Sequence, residues 1–243
     1  MIFRPSIKLT LALLALSLVF ARLGAWQIDR WHEKEALFHR FENAPEMRVE
    51  AAMENGVLFA RVEAYGQYDP ERHVLLDNRI FNGRAGVNVL TPFRLADGRE
   101  LLVNRGWLPL PLDRLSLPDV PTSEENRILR GILNRPSEGG TRLGQADVLV
   151  PDRWPQLVTY LDPDAVAAAL GTTLEPWLLQ LDPADETGFD GREWKVAEMR
   201  PEVHKAYALQ WFALSAAAAV IWVALGVRRA RRLAGRSTGE EKS

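Results

Sequence analysis

The fold is decided by residues 206–227, which read AYALQWFALSAAAAVIWVALGV and carry no charge over 22 positions. At a helical rise of about 1.5 Å per residue, this stretch reaches about 33 Å, enough to cross a hydrocarbon core of about 30 Å. A helix in the core of a soluble protein would show a polar face at a period of about 3.6 residues, and this stretch shows none. We therefore predict a transmembrane helix over residues 205–227.

The first apolar segment, residues 9–28, reads LTLALLALSLVFARLGAWQI and includes a single charge, Arg22. Its charge-free part, Leu9–Ala21, has the 13-residue length of a signal peptide, and the pattern ending at Ala21 fits a cleavage site. The alternative is a retained transmembrane anchor, with Arg22 reaching the interface and Trp26 in the aromatic belt. Composition leaves both interpretations open.

The charge distribution predicts the orientation of the two segments. Residues 1–8 have a net charge of +2, residues 228–243 of +4 and residues 9–227 of −8, which together give −2. The positive-inside rule places both ends in the cytoplasm and residues 29–204 outside it. Because a long Arg- and Ser-rich presequence is absent, we expect a bacterial inner membrane with a periplasmic middle region. The basic tail is a stop-transfer signal or, alternatively, a patch for anionic lipid.

Between the apolar segments, the pattern predicts one α+β domain that is largely antiparallel. Residues 29–43 are rich in helix formers and extend the first helix outward until Pro45 stops it. Asp162-Pro163 before an alanine-rich run that ends at Gly171 predicts a short helix. The predicted fold is thus a membrane protein with two transmembrane helices bracketing one extracytoplasmic α+β domain.

Short β-rich runs bounded by turn residues predict the strands of this domain. Asp97-Gly98 predicts a hairpin between two of them. Loops are expected at 108–125, which contains four prolines, and at Gly139-Gly140. The predicted strands are residues 57–68, 73–80, 86–93, 100–107, 128–134 and 177–182.

Composition excludes several classes of function. The chain has no cysteine, which excludes disulfides, thiolate metal sites, cysteine nucleophiles and covalent c-type haem attachment. The near-zero net charge argues against a nucleic-acid partner. No phosphate-binding loop, nucleophile elbow or zinc-protease motif occurs, so we expect a protein that is not an enzyme. A membrane-tethered hydrolase or sensor is the weaker alternative.

The spacing of two of the four histidines, and the sequence around a third, predict the environments of these side chains. His32 and His39 are seven residues apart on one helix face, which favours a solvated face over a metal site. His73 lies in the run DPERHVLLD and is interpreted as a histidine at a strand edge.

His204 lies at the outer mouth of the second apolar helix and is a candidate ligand. His204, Tyr207 and Trp211 fall at i, i+3 and i+7, which places them on one helix face. An imidazole beside aromatic rings suits an axial ligand to haem iron with ring packing on the porphyrin. An interfacial belt of amphipathic residues without any ligand is the alternative.

The first helix offers a second candidate face, made of Arg22, Trp26 and Arg30 at i, i+4 and i+8. Two guanidinium groups on one face can pair with carboxylates such as haem propionates. Lipid phosphates would serve equally well, so this face also admits two interpretations.

Four blocks of sequence, in order and over nearly the whole chain, resemble the Surfeit locus protein 1 family. The first, LGAWQIDRWHEK (23–34), is similar to the family's LGxWQxxRxxxK at the end of its first membrane helix. The last, HKAYALQWFAL (204–214), is similar to HxxYAxQWF at the start of its second. The two central blocks are GQYDPERHVLLDNRIFNGRAGVNVLTPF (66–93) and DGRELLVNRGWLP (97–109).

The resemblance implies that the first segment is kept as an anchor, in place of a cleaved signal peptide. It also implies a role in assembling a haem–copper cytochrome c oxidase, at the step where haem a enters the catalytic subunit. The family's haem-associated histidine corresponds to His204. This chain departs from the family just before it, where Glu202 and Val203 stand in place of the asparagines that many members carry.

The resemblance further implies partners: the lipid bilayer, the catalytic subunit of the oxidase and other assembly factors. Within the third block, Asn104, Arg105 and Trp107, together with Gly106, are a candidate docking surface or, alternatively, a strand end needed for packing. A haem-free membrane-anchored scaffold that binds and stabilises oxidase assembly intermediates is the alternative function.

Overall fold

The computed structural model describes residues 3–111, 116–136, 147–196 and 199–240, the last seven of them by backbone only. The predicted loop at Gly139-Gly140 lies outside the described residues. The chain divides into two compact units. The helix unit comprises residues 1–39 and 196–243, and the sheet unit comprises residues 40–195.

Two long helices, α1 (Ile7–Glu42) and α4 (Pro201–Glu240), bracket the sheet unit in the chain. Both are long and apolar enough to cross a membrane, and only 6% and 11% of their most apolar windows are buried. A core helix of a soluble protein would be covered by its own chain. The helix α1 runs without a break through Ala21, continues across the predicted helical stretch 29–43 and ends at Glu42.

The two helices of the helix unit pack against each other in antiparallel fashion along a seam of small, polar and aromatic residues. Ser17 and Ser215 place their hydroxyl oxygens 2.8 Å apart, and the Ser215 hydroxyl donates to the Ser17 carbonyl at 3.0 Å. Trp222 Nε1 donates to Thr10 Oγ1 at 2.9 Å. Between lipid-facing helices, small residues allow close approach, and each such hydrogen bond contributes about 0.6 kcal/mol on average.

The seam follows a seven-residue repeat, the spacing of helices that pack as in a coiled coil. On α1 the contacts recur at Thr10, Ser17, Gly24 and Trp31, and Phe3 continues the spacing before the helix begins. On α4 they recur at His204 and Trp211 and again at Ser215 and Trp222.

The sheet unit is built on a ring of five strands. Its elements are β1 (Glu46–Arg48), α2 (Val49–Glu54), β2 (Arg61–Tyr68), β3 (Val74–Phe81), β4 (Arg84–Leu95), β5 (Glu100–Pro109), β6 (Arg127–Asn134), β7 (Gln156–Val158), α3 (Pro163–Leu170) and β8 (Leu174–Leu181). Hydrogen bonding runs from β2 through β6, β8, β5 and β4 and returns to β2, while β1 extends β2, and β3 with β7 extends β4. The ring is therefore a small, partly open barrel.

The ring closes where residues 66–68 of β2 pair with residues 93–95 of β4. A side chain at Gly66 would place its Cβ 2.0 Å from the Arg94 carbonyl oxygen, so the close approach needs glycine. Apolar side chains from all five strands fill the interior, including Val62, Phe93, Val103, Leu129 and Leu179. This interior is the main hydrophobic core of the sheet unit.

The helix α3 covers a second core beside the ring, where Val166 and Leu170 pack with Val74, Leu90 and Leu102. Its ends are as predicted: the Asp162 side chain accepts hydrogen bonds from the backbone N–H groups of Asp164 and Ala165, and Gly171 adopts the left-handed conformation with φ of 68°.

The predicted strands are all present, and the sheet is largely antiparallel, with five antiparallel and three parallel pairings. Three elements were not predicted: the three-residue strands β1 and β7 and the six-residue helix α2. Each is too short to show a periodic pattern. The parallel pairing of β5 with β8 joins strands far apart in the chain, and no local signal reports such a contact.

The barrel core gives a test that uses two adjacent residues of β6. Leu129 is fully buried inside the ring, whereas Ile128 is 59% exposed. We expect Leu129→Ala to lower the free energy of unfolding by about 2–5 kcal/mol, because it leaves a cavity. Ile128→Ala should change it by less than about 0.5 kcal/mol. Urea unfolding of the detergent-solubilised chain, followed by circular dichroism, measures both, and equal losses would contradict an enclosed core.

Candidate functional site

The most unusual polar contact of the helix unit joins the two predicted membrane helices. His204, in the first turn of α4, places Nδ1 2.9 Å from the Oε1 oxygen of Gln27 on α1. Gln27 is 9% exposed. The other ring nitrogen, Nε2, is buried and makes no hydrogen bond within the part of the chain that the structure describes. A buried polar atom without a partner costs about 1–3 kcal/mol, so its presence calls for an explanation.

Small and aromatic residues form the surroundings of this pair on the seam. Ala208, one turn beyond His204, is 1% exposed. A side chain at Gly24 would place its Cβ 2.8 Å from the Phe212 ring, so the helices approach closely here. On the other side of the pair, Lys205 Nζ lies 4.9 Å from the centre of the Trp31 ring.

Of the predicted aromatic partners of His204, Trp211 lies on the seam and Tyr207 does not. Trp211 is half-buried and stacks on Phe20 with 5.7 Å between ring centres. Tyr207 is 45% exposed. The seam follows His204, Ala208 and Trp211, at i, i+4 and i+7, which places Tyr207 at its edge.

The predicted face of Arg22, Trp26 and Arg30 is not part of the seam. All three residues are exposed, and Arg30 Nη1 pairs with Glu33 at 2.8 Å. Gln27, which contacts α4, lies about 100° around the helix from Trp26 and about 60° from Arg30, because a helix turns about 100° per residue. Among the contacts of the described residues, none joins these three residues to His204, and their contact with carboxylates stays a prediction.

The predicted docking residues of the third sequence block are buried. Arg105 is 3% exposed and lies between the rings of Tyr68 and Phe189, each 4.8 Å away. Its guanidinium donates to the Thr187 carbonyl at 2.7 and 2.9 Å and to Thr122 Oγ1 at 2.6 Å. Burial among these groups lowers the pKa of Arg105 from its usual value.

Asn104 and Trp107 hold the same end of β5. Asn104 is 5% exposed, and its Oδ1 accepts from the backbone of Gly106 at 3.1 Å. Trp107 is 4% exposed and donates from Nε1 to the Arg79 carbonyl at 3.1 Å. Side chains buried in this way match the packing alternative, and they offer no docking surface while the barrel is folded. Any contribution to partner binding stays a prediction.

His73 is buried, not placed at an open strand edge. It is 3% exposed, with Nδ1 3.1 Å from Thr91 Oγ1 and Nε2 3.1 Å from the Pro70 carbonyl. Burial, reinforced by the charge of Arg105, lowers its pKa to about 4. Both nitrogens have partners, so His73 is a satisfied core histidine.

The remaining two histidines lie on the exposed side of α1. His32 Nδ1 is 4.0 Å from Glu35, and both His32 and His39 are exposed. Among the described residues, no three His, Asp or Glu side chains lie close enough to hold one metal ion.

Gln27 lies in the first sequence block, and the sequence patterns did not identify it as a site residue. The sequence does contain a signal that could have found it. Thr10, Ser17 and Gly24 are spaced seven residues apart, which marks the packing face of α1. Gln27 lies on that face, one turn beyond Gly24.

Comparison with known proteins identifies the family. The SURF1 family model matches residues 14–216, which include the His204–Gln27 pair and the whole sheet unit. The chain belongs to the SURF1 family. This agrees with the resemblance carried by the four sequence blocks, and SURF1 proteins are generally known as oxidase assembly factors.

Relatives within the SURF1 family come from eukaryotes and bacteria. A "SURF1-like protein" of Monosiga brevicollis is 30% identical, with 94% of this chain and 89% of the relative covered. One from Rickettsia felis is 24% identical, covering 89% of this chain and 96% of the relative. "Surfeit locus protein 1" of Rattus norvegicus is 30% identical over 66% of this chain and 51% of its own length.

The lowered pKa of His73 predicts how stability depends on pH. The unfolded state takes up a proton near pH 6.5 and the folded state only near pH 4, so unfolding is favoured as the pH falls between these values. We expect the free energy of unfolding to be highest above pH 6.5 and to decrease toward pH 4. Urea unfolding over this pH range measures the decrease. His73→Asn should flatten it; an unchanged slope in His73→Asn contradicts the assignment.

Proposed function

We propose that this SURF1 protein assists assembly of a haem–copper cytochrome c oxidase by holding haem a as cargo at His204. The observation that carries the proposal is the buried Nε2 atom of His204, which has no hydrogen-bond partner among the described residues while Nδ1 is held by Gln27. An imidazole with one nitrogen anchored and the other available is the usual arrangement of a histidine that ligates a metal. His204 fits haem iron on this ground.

The surroundings of His204 suit a large, flat and apolar cargo. Trp211 and Phe20 stack on the seam within two turns of the imidazole, and Phe212 packs over Gly24. Because Nε2 is buried, the iron reaches it only when neighbouring side chains shift. Bound haem a supplies the redox centre of the oxidase; the chain itself supplies ligation, packing and release, and we propose no catalytic step for it.

The charge distribution supports a location in the bacterial inner membrane. Basic residues cluster at the two chain ends and the middle region is acidic, so we propose that both ends lie in the cytoplasm and the sheet unit in the periplasm. In this topology His204 lies at the periplasmic end of α4, where haem a would be passed to the catalytic subunit.

A haem-free scaffold is the second candidate, and one feature of the sheet unit favours it. Tyr65 of β2 and Ile128 of β6 are direct neighbours in register, and they are 50% and 59% exposed. Exposed apolar neighbours on one sheet face suit a protein partner. The oxidase catalytic subunit and other assembly factors are the partners that we propose for this face.

Purification from cells that make haem a separates the two candidates. We expect the wild-type chain to carry haem a and the His204→Ala variant to lose most of it, because the iron loses its ligand. His39→Ala, at an exposed histidine of α1, is the matched control and should retain haem. The scaffold alternative predicts haem-free protein in all three samples, together with co-purified oxidase subunits. Equal haem and identical optical spectra in wild type and His204→Ala would exclude the ligand role.

Single-cysteine labelling tests the topology, because the chain has no cysteine of its own. Asn126→Cys places a thiol at an exposed position of the sheet unit, and Ser237→Cys places one in the basic tail. In intact spheroplasts, a membrane-impermeant maleimide should label the first variant and leave the second unlabelled until the membrane is broken. The reverse pattern would contradict the proposed orientation.

A further inference from the structure

The atoms that Gln27 presents to His204 indicate its role. This role rests on the proposed function of His204. An amide oxygen accepts hydrogen bonds and cannot donate them. With Gln27 Oε1 at 2.9 Å as the acceptor, this contact is a hydrogen bond when the Nδ1 atom of His204 carries the proton. A neutral imidazole has one ring proton, so the lone pair is then on Nε2.

The position of Gln27 is set by the close approach of the helices. Gly24 lies one turn before Gln27, under the Phe212 ring, and Ala208 lies one turn after His204 and is almost fully buried. Small residues on both helices, on the same side of the pair, keep the helices near enough for a glutamine side chain to span the gap. The seam thus holds the amide where it meets only one of the two ring nitrogens.

We propose that Gln27 is a positioning residue, which selects the Nδ1-protonated tautomer of His204 and presents Nε2 as the iron ligand. Metal-ligating histidines commonly donate their second ring N–H to a carboxylate, a carbonyl or water, and loss of that acceptor weakens metal binding about 10–100-fold. Gln27 would supply this acceptor from the opposite helix, so the ligand is made ready only when α1 and α4 are paired.

The first measurement needs no haem. The full chain is labelled with ¹⁵N-histidine in detergent micelles, at a pH well above the ordinary imidazole pKa of about 6.5. The His204 signals are assigned by their loss in His204→Gln. We expect a protonated Nδ1 and an unprotonated Nε2 in the wild type. A protonated Nε2 would overturn the proposal, because the amide would then donate to Nδ1.

Three variants of the seam complete the NMR test. Gln27→Met keeps the length of the side chain but removes the acceptor, so His204 should lose its single tautomer. Gln27→Glu retains an acceptor oxygen and should restore it. Thr10→Val removes another interhelical hydrogen bond, to Trp222, and should leave the His204 signals unchanged. An unaltered tautomer in Gln27→Met would overturn the proposal, as would the same loss in Thr10→Val.

Titration with ferric protoporphyrin IX then connects the tautomer to binding. We expect Gln27→Met to bind this probe about 10–100-fold more weakly than wild type, and Gln27→Glu and Thr10→Val to bind it within a few-fold. Equal binding by His204→Ala and wild type would refute the proposed function itself. Loss of binding in His204→Ala with unchanged binding in Gln27→Met would refute only the role of Gln27.

Discussion

Pairing of two apolar helices along a narrow seam is the constraint on which the proposed site depends. Lipid offers no hydrophobic driving force between membrane helices, so they associate through close packing and hydrogen bonds. In this chain the same positions supply the close packing and the hydrogen bonds. The Ser17 and Ser215 hydroxyls face each other, Thr10 accepts a hydrogen bond from the Trp222 indole, and Gly24 lies against the Phe212 ring. The seven-residue spacing of these contacts carries the seam from one end of α1 to the level of His204.

The same seam explains why a polar pair is tolerated between apolar helices. Gln27 and His204 satisfy each other through one hydrogen bond, which leaves a single buried atom, Nε2, without a partner among the described residues. Since the chain has no cysteine, thiolate cannot serve as the ligand of a redox cofactor. A nitrogen ligand at the end of a membrane helix is consistent with the oxidase assembly role of SURF1 proteins.

The sequence predicted the helices and strands well because their signals are local. The charge-free run at 206–227 can be read directly from the sequence. So can the alternation of residue types that gives β2 its exposed and buried faces. The helix face predicted for His204 coincides only in part with the face that packs on α1. The prediction chose Tyr207 at i+3, whereas the packed face follows i+4 and i+7, since a seam shared by two helices keeps the coiled-coil repeat.

The two central sequence blocks show a second limit on what can be predicted from sequence alone. Asn104, Arg105 and Trp107 are polar or aromatic residues that a sequence places equally well on a docking surface or in a core. The structure buries them, with Arg105 and Trp107 anchoring residues 187–190 to the end of β5 through the Thr187 carbonyl and the Asp190 carbonyl. These hydrogen-bond partners of Arg105 and Trp107 lie more than 80 positions away in the chain, and no local pattern indicates them.

Hyperfine spectroscopy of the ferric haem complex tests the central claim most directly. The full chain is prepared with ¹⁵N-histidine and loaded with haem in detergent, and electron–nuclear double resonance detects nitrogen nuclei bound to the iron. The account predicts a strongly coupled ¹⁵N signal from an axial imidazole, present in wild type and absent from His204→Ala. A haem complex with no histidine ¹⁵N coupling, or one in which the coupling persists without His204, would contradict it.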